Sequence, residues 1–154
     1  MRVRALFFPL MAFAFVGTAC GDDQEPARAR ELWDRVNASG YTTWARPRVY
    51  PTRATSATLH LDAVELFLNP VLADAERGKP IATWPDGSIV VKDGYTGSDK
   101  KLIAIMEKTA GVWFFAEYNE KGSILFSGRP KICLNCHNAR ENYSDWLYSM
   151  ELPR

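Results

Sequence analysis

The chain has 154 residues, of which 47% are hydrophobic and 24% are charged, a composition typical of a single globular domain. It carries 19 Lys and Arg residues against 18 Asp and Glu residues. This even balance argues against a nucleic-acid partner, because there is no basic excess to neutralise phosphates.

Residues 1–19 have the order of a secretory signal. Arg2 and Arg4 form a basic start, an apolar run follows over residues 5–16, and small residues come next. The apolar run is shorter than the roughly 20 residues that a membrane-spanning helix needs. The pattern therefore predicts a signal peptide that is removed on export.

This segment ends in VGTACG, in which Cys20 follows small residues and precedes a glycine. The stretch resembles a bacterial lipoprotein signal, although Gly17 stands where such signals usually carry leucine. The resemblance implies that Cys20 becomes the lipidated first residue, and that a diacyl anchor tethers a soluble domain to the periplasmic side of a bacterial membrane. The alternatives are an ordinary signal cut near Ala19 and a cleavage just past Cys20.

The next part of the chain predicts one helix and a long irregular segment. Pro26 can start a helix in which Leu32 and Val36 recur at helical spacing. Glycine and two prolines interrupt residues 40–57, which we expect to wrap irregularly over the core. Residues 20–59 are thus expected to form an N-terminal tether and a helix.

From residue 60 onwards the patterns favour strands more than helices. Alternating or β-branched apolar residues, bounded by turn residues, predict most of these elements. In chain order they are a strand at 61–68, a short helix at 71–77, a strand at 89–92, a helix or strand at 100–109, and a hairpin over 111–128. This order favours an α+β fold, a mainly antiparallel β-sheet with flanking helices. A flat apolar cofactor would cover the buried face of such a sheet.

The stretch KICLNCHNA, residues 131–139, places Cys133 and Cys136 three apart, with His137 directly after them. Positions i and i+3 of a helix face the same way, so both thiols can reach one object. The next residue turns roughly 100° around the helix. This geometry suits one covalent haem c: the two thiols add across the vinyl groups, and the histidine binds the iron as its proximal metal ligand.

Structural zinc and a redox-active dithiol are the two other interpretations of these residues. Structural zinc needs four ligands, and only His60 remains to join the trio. A thioredoxin-like dithiol opens a helix in a βαβ pattern, which the predicted order lacks. Export favours the haem, because haem c is attached outside the cytoplasm.

The iron's sixth position decides between an electron carrier, in which it is filled, and a site for binding or catalysis, in which it is open. The candidate ligands are His60, Lys92, Met106 and Met150. Each has a simpler interpretation in the core, at the surface or as a hydrogen-bonding residue. We therefore expect an open sixth position.

Three blocks in order and spacing resemble the cytochrome P-460 family, which includes the cytochromes c′-β. They are PDGSIVVKDGY, IMEKTAGVWFFAEYNEKG, and CLNCH followed by SDWLY. The resemblance implies a mainly antiparallel haem domain over residues 60–154, often a homodimer, with one five-coordinate haem c. It also implies a small nitrogen ligand or substrate, hydroxylamine or nitric oxide, and an exported redox partner.

In the hydroxylamine-oxidising members of this family, a lysine nitrogen bonds covalently to the haem rim. The residue that matches this lysine is Lys92, which the resemblance makes a candidate catalytic residue and haem cross-link. Taken by itself, Lys92 has a simpler interpretation as a solvated lysine at a strand end. The c′-β relatives bind gas without such a cross-link.

The oxidising members also use a carboxylate as proton acceptor, and its matching position falls near Ile103 or Ala104. Both residues are apolar, whereas proton removal from hydroxylamine needs a base within hydrogen-bond reach. We therefore expect an apolar distal wall suited to nitric oxide, which leaves hydroxylamine oxidation and plain gas binding as alternatives. The nearby acidic residues are expected to be surface charges: Asp93, Asp99 and Glu107.

Overall fold

The computed structural model describes residues 24–154; the expected signal (1–19) and the candidate lipidation site Cys20 lie outside them. Within this described range, six strands form one sheet in which each strand pairs antiparallel with its sequence neighbour. This confirms the α+β fold with a mainly antiparallel sheet and flanking helices. The elements are α1 (Pro26–Ala38), β1 (Ala54–Thr58), β2 (Leu61–Leu68), α2 (Pro70–Arg77), β3 (Ile89–Thr96), β4 (Asp99–Thr109), β5 (Val112–Asn119), β6 (Ile124–Gly128), α3 (Lys131–His137) and α4 (Glu141–Ser144).

Two stretches differ from or sharpen the expectations. The irregular segment at 40–57 was predicted wrongly at its end, because β1 begins at Ala54 and pairs with β2. The ambiguous stretch at 100–109 is a strand: β4 lies inside the sheet and pairs with both β3 and β5. Pairing with a strand on each side determines that this segment is a strand, whereas periodicity alone does not distinguish a strand from a helix here.

One face of the sheet packs against α1. Ala29, Leu32 and Val36 of this helix are almost fully buried, at the spacing that places them on one side of a helix. The strand residues beneath them come from alternate positions, which share a face of a strand: Phe67, Val91, Ile105, Phe114 and Tyr118. The helix and β1 therefore belong to the same fold as the rest of the sheet.

The opposite face is covered by α2, by Trp84 and by the C-terminal segment. Leu72, Trp84, Leu147 and Met150 are all at most 3% exposed and pack on the second set of strand side chains. This cover leaves a cavity above part of the sheet. Within residues 24–154, no helix is long and apolar enough to cross a membrane.

Asn69 fixes the end of β2 and the start of α2. Its side-chain oxygen accepts hydrogen bonds from the backbone N–H groups of Leu72 and Ile89, and its amide donates to the carbonyl of Gly87. Asparagine is a favoured helix N-cap, and proline is tolerated at the first helical position that follows. The Asn-Pro pair therefore ends the strand as predicted, and it also ties the start of β3 to α2.

Candidate functional site

The cavity has a volume of about 290 Å³ and lies between the sheet and the C-terminal segment. This volume is close to the lower end of the range for small-ligand sites, roughly 300–1,000 Å³. Two rows of strand residues form its floor, because residues paired across strands point to the same face. One row is Leu66, Lys92, Ala104, Glu117 and Phe126, and the next is Val90, Met106 and Phe115.

Cys133, Cys136 and His137 all line this cavity from α3. Pro130 is the N-cap of the helix, with φ −65° and ψ 142°, so the chain turns into α3 directly after the last strand. Cys133 is half-buried, Cys136 is exposed, and the His137 side chain is buried. The predicted helix and the predicted convergence of the three residues are therefore both found.

The orientation of His137 is set by a hydrogen bond to the backbone. Its Nδ1 lies 2.7 Å from the carbonyl oxygen of Trp146. Because a carbonyl oxygen only accepts, Nδ1 carries the proton and Nε2 keeps the lone pair that binds metals. Burial lowers the pKa of His137, which favours the neutral ring. Phe115 and Tyr148 hold the ring edge-on, with centroids 5.1 and 6.0 Å away.

The donor set fits a covalent haem better than the two rival groups. Structural zinc needs four ligands. Among residues 24–154, not even three His, Cys, Asp or Glu side chains come together as they would around one metal ion. The described sheet has only antiparallel pairs, so the βαβ setting of a thioredoxin-like dithiol is missing. Two thiols one helical turn apart and a neutral histidine with its Nε2 lone pair match the requirements of haem c.

Three titratable side chains form a polar cluster in the same cavity: His60, Lys92 and Glu117. Lys92 and Glu117 flank Ala104 in the strand register, which separates their Cα atoms by roughly 10 Å. His60 Nδ1 lies 3.5 Å from Glu117 Oε2. Glu117 is two residues along β5 from Phe115, about 7 Å, so the polar cluster lies one row beyond the residue that contacts His137.

Burial perturbs all three groups of the polar cluster. It raises the pKa of Glu117 to about 7, against the opposing effect of the Lys92 charge. It lowers the pKa of Lys92 to about 8, against the charges of Cys136 and Glu117. It also lowers the pKa of His60 to about 3, and Lys92 adds to this shift. The close contact of His60 with Glu117 is therefore no ion pair at neutral pH, because the imidazole is uncharged.

The backbone around His60 is shaped to bring it over the sheet. The next residue, Leu61, has a left-handed φ of 73°, which is uncommon for a residue with a side chain. A Cβ atom on Gly94 of β3 would lie only 2.7 Å from the His60 carbonyl oxygen. Glycine at this position therefore permits the β1–β2 turn to close over β3 and to place His60 in the cavity.

The cavity wall around Ala104 is less apolar than the distal wall that the sequence predicts. Ala104 does line the cavity, but its register neighbour on β5 is Glu117, and Ile103 belongs to the core under α1. Sequence reasoning missed Glu117. The signal was present, because Glu117 shares the alternation of Trp113 and Phe115, yet the partner strand was needed to reveal which wall it joins.

The nearby acidic residues were predicted as surface charges, and two of them are not. Asp93 is 1% exposed and accepts hydrogen bonds from Tyr41 and Lys100. Glu107 is also buried and pairs with Arg35 of α1. Both lie on the α1 side of the sheet, away from the cavity, whereas Asp99 is exposed as expected.

Lys92 lies in the middle of β3 and faces the cavity, so it is not a solvated lysine at a strand end. The other candidate axial ligands, His60, Met106 and Met150, line the same cavity. Met106 and Met150 are also buried, as expected of core residues. The open sixth position stays a prediction.

Compared with known proteins, the chain matches no family model, and no curated protein is significantly similar to it. The resemblance to the cytochrome P-460 family therefore stays a prediction that depends on the residues quoted above.

Proposed function

We propose that this protein is an exported monohaem c-type cytochrome whose open distal iron site binds or oxidises small nitrogen species. The observation that carries the proposal is the hydrogen bond from His137 Nδ1 to the Trp146 carbonyl, 2.7 Å long. It leaves Nε2 as the ligand nitrogen in a cavity that Cys133 and Cys136 also line. A haem bound there would supply a redox-active iron with one coordination position for a substrate.

Each part of the cavity has a role in this proposal. Cys133 and Cys136 would hold the group through thioethers, and His137 would bind the iron from the proximal side. Apolar side chains of the floor, such as Leu66 and Val90, exclude water and leave room for a small, weakly polar ligand.

The polar cluster favours hydroxylamine as a substrate over gas binding alone. Oxidation of hydroxylamine releases protons together with electrons, so a base must lie near the substrate. Glu117 supplies a carboxylate whose pKa, raised by burial to about 7, suits proton uptake near neutral pH. The electrons would leave to an exported one-electron acceptor, the redox partner expected from the sequence.

The pKa and the position of Lys92 support a covalent link between its side-chain nitrogen and the haem rim. Burial lowers its pKa to about 8, which increases the share of the neutral, nucleophilic amine at neutral pH. Forming the C–N bond would remove one N–H and one C–H hydrogen, so it needs a two-electron oxidant such as a peroxide. Lys92 lines the same cavity as both cysteines, as this reaction requires.

Nitric oxide capture without turnover is the second candidate function. The apolar part of the floor favours it, because Ala104, Met106 and Leu66 lie beside the polar cluster and suit an uncharged gas. A six-coordinate electron carrier is a third and less favoured alternative, which would need Met106, Met150 or His60 at the iron.

Mass spectrometry and optical spectra of the exported protein test the proposal. The protein is purified from cells that mature cytochromes c, denatured and digested with trypsin. We expect one haem on the peptide that contains Cys133 and Cys136, joined to a second peptide that contains Lys92. Haem on the first peptide alone would favour gas binding, and a low-spin six-coordinate spectrum would favour the carrier. A colourless product without the mass of a haem would overturn the proposal.

A further inference from the structure

We infer that the buried ion pair between Lys108 and Asp145 is a positioning device for His137. It holds the carbonyl of Trp146 where His137 Nδ1 must donate to it, and so selects Nε2 as the nitrogen that faces a ligand. The inference deepens the proposed function and rests on it for the iron. The choice of tautomer itself needs no iron.

The carbonyl that His137 uses belongs to a strained turn. Asp145 and Trp146 follow α4 and have left-handed φ values of 46° and 73°. Such conformations are costly for residues other than glycine, and they persist only where surrounding contacts hold them. Two in succession, directly at the acceptor of the histidine hydrogen bond, indicate that surrounding contacts help to hold this backbone geometry, in addition to the turn's own hydrogen bond from the Leu147 N–H to the Ser144 carbonyl.

The contacts that impose it come from buried groups. The Asp145 carboxylate accepts hydrogen bonds from the Lys108 ammonium and from the backbone N–H of Trp84, the latter at 2.8 Å. The indole N–H of Trp84 donates to the carbonyl of Ser144 at 2.9 Å. Lys108 and Trp84 are 3% and 1% exposed. Removing one partner of such a buried ion pair strongly destabilises the fold, because the charge that remains is buried without a partner.

Lys108 links this turn to the rigid part of the fold. It lies near the end of β4, and its backbone exchanges hydrogen bonds with the segment before β3, to Ser88 and from Gly87. Its ammonium also lies 5.8 Å from the ring centre of Trp113. The sheet therefore determines the position of Lys108, and Lys108 in turn determines the position of Asp145. The turn that contains Asp145 then sets the position of the Trp146 carbonyl, which is the acceptor for His137.

The alternative is that the ion pair only fastens the C-terminal segment and has no effect on the histidine. The two roles differ in what they predict for Nδ1. If Trp146 is displaced, His137 loses its acceptor, the imidazole becomes a weaker donor to iron, and its N–H exchanges faster with water. A fastening role alone would lower stability and leave these properties unchanged.

The test uses Lys108→Met, which keeps an apolar stem beside Trp113, and Asp145→Asn, which keeps an acceptor for Trp84. Lys101→Met is the matched control, because Lys101 lies on the same strand with its side chain 50% exposed and pairs with Asp99. Two properties are measured on the purified full-length proteins. One is the iron–histidine stretching frequency of the ferrous haem, and the other is the hydrogen exchange of the His137 Nδ1–H by ¹⁵N NMR.

We expect both site variants to lower the stretching frequency and to speed exchange by at least about tenfold, with the control unchanged. Variants that are less stable but match the wild type in both properties would overturn the inference. If the wild-type protein proves to carry no haem, the proposed function fails. The Nδ1–H exchange then still decides the inference, because it needs no metal.

Discussion

Replacing Glu117 by glutamine tests the polar cluster most directly. Glutamine keeps the size and shape of the side chain and removes the carboxylate that would accept a proton. A positioned general base contributes roughly 10²–10⁴-fold to a rate, so we expect hydroxylamine oxidation to fall by at least about 100-fold. Nitric oxide binding needs no base, and its affinity should stay within about threefold of the wild type.

The pH profile gives a second, independent magnitude. With its pKa raised to about 7, the Glu117 carboxylate is about one-tenth ionised at pH 6 and about nine-tenths ionised at pH 8. Oxidation by the wild type should therefore rise about tenfold between these pH values, and Glu117→Gln should remove this rise. His60 stays neutral throughout, because its pKa is lowered to about 3.

The assay is steady-state hydroxylamine oxidation with a soluble one-electron acceptor, run from pH 5.5 to 8.5 beside optical titration with nitric oxide. Glu65→Gln is the control. The Glu65 side chain is 20% exposed, close to the 17% of Glu117, but it lies on the other face of the sheet. The reasoning is refuted if Glu117→Gln keeps at least one-third of the wild-type activity with the same pH profile, or if Glu65→Gln loses as much activity.

Three further predictions follow from the structure. Lys92→Arg should abolish the second tryptic peptide on the haem while the CLNCH attachment remains; an unchanged two-peptide product would contradict the assignment of Lys92. Gly94→Ala should destabilise the fold by about 1–3 kcal/mol, because its Cβ would lie 2.7 Å from the His60 carbonyl; urea unfolding equal to that of the wild type would show that the turn moves freely. Leu32→Ala, on the buried side of α1, should lower the free energy of unfolding by about 2–5 kcal/mol with an unchanged haem spectrum, and a changed spectrum would show that the two faces of the sheet are coupled.

The parts of the fold that the sequence predicts are those with local signals. Residues 61–68 combine alternation with a stop at Asn69-Pro70, and β2 ends there. The hairpin at 111–128 has a clear turn, and β5 and β6 flank it. The sequence of β1, ATSAT, has two β-branched threonines but no large apolar residue, so it shows no clear alternation of apolar and polar side chains. Its conformation depends on pairing with β2, which is a tertiary effect that a local pattern does not contain.

The candidate site divides in the same way. Cys133, Cys136 and His137 lie within five residues, so helical geometry was enough to bring them together. Glu117 joins Lys92 only through the register of two strand pairs. Asp145 meets Lys108 across 37 residues of sequence. Contacts of this kind depend on the order and alignment of strands, which the spacing of residues along the sequence does not predict.

The polar cluster is difficult to explain as a stabilising feature. Lys92 and Glu117 sit on a floor that is otherwise mostly apolar, and burial shifts the pKa of each toward its neutral form. Burying a charged side chain is costly unless it is paired and hydrogen-bonded, so selection for stability alone would favour side chains like those of Leu66 and Met106. Groups that change protonation near neutral pH are instead typical of sites that move protons. Their position one row from the side chain that contacts His137 places proton transfer beside the proposed iron site, which is where the oxidation of hydroxylamine would need it.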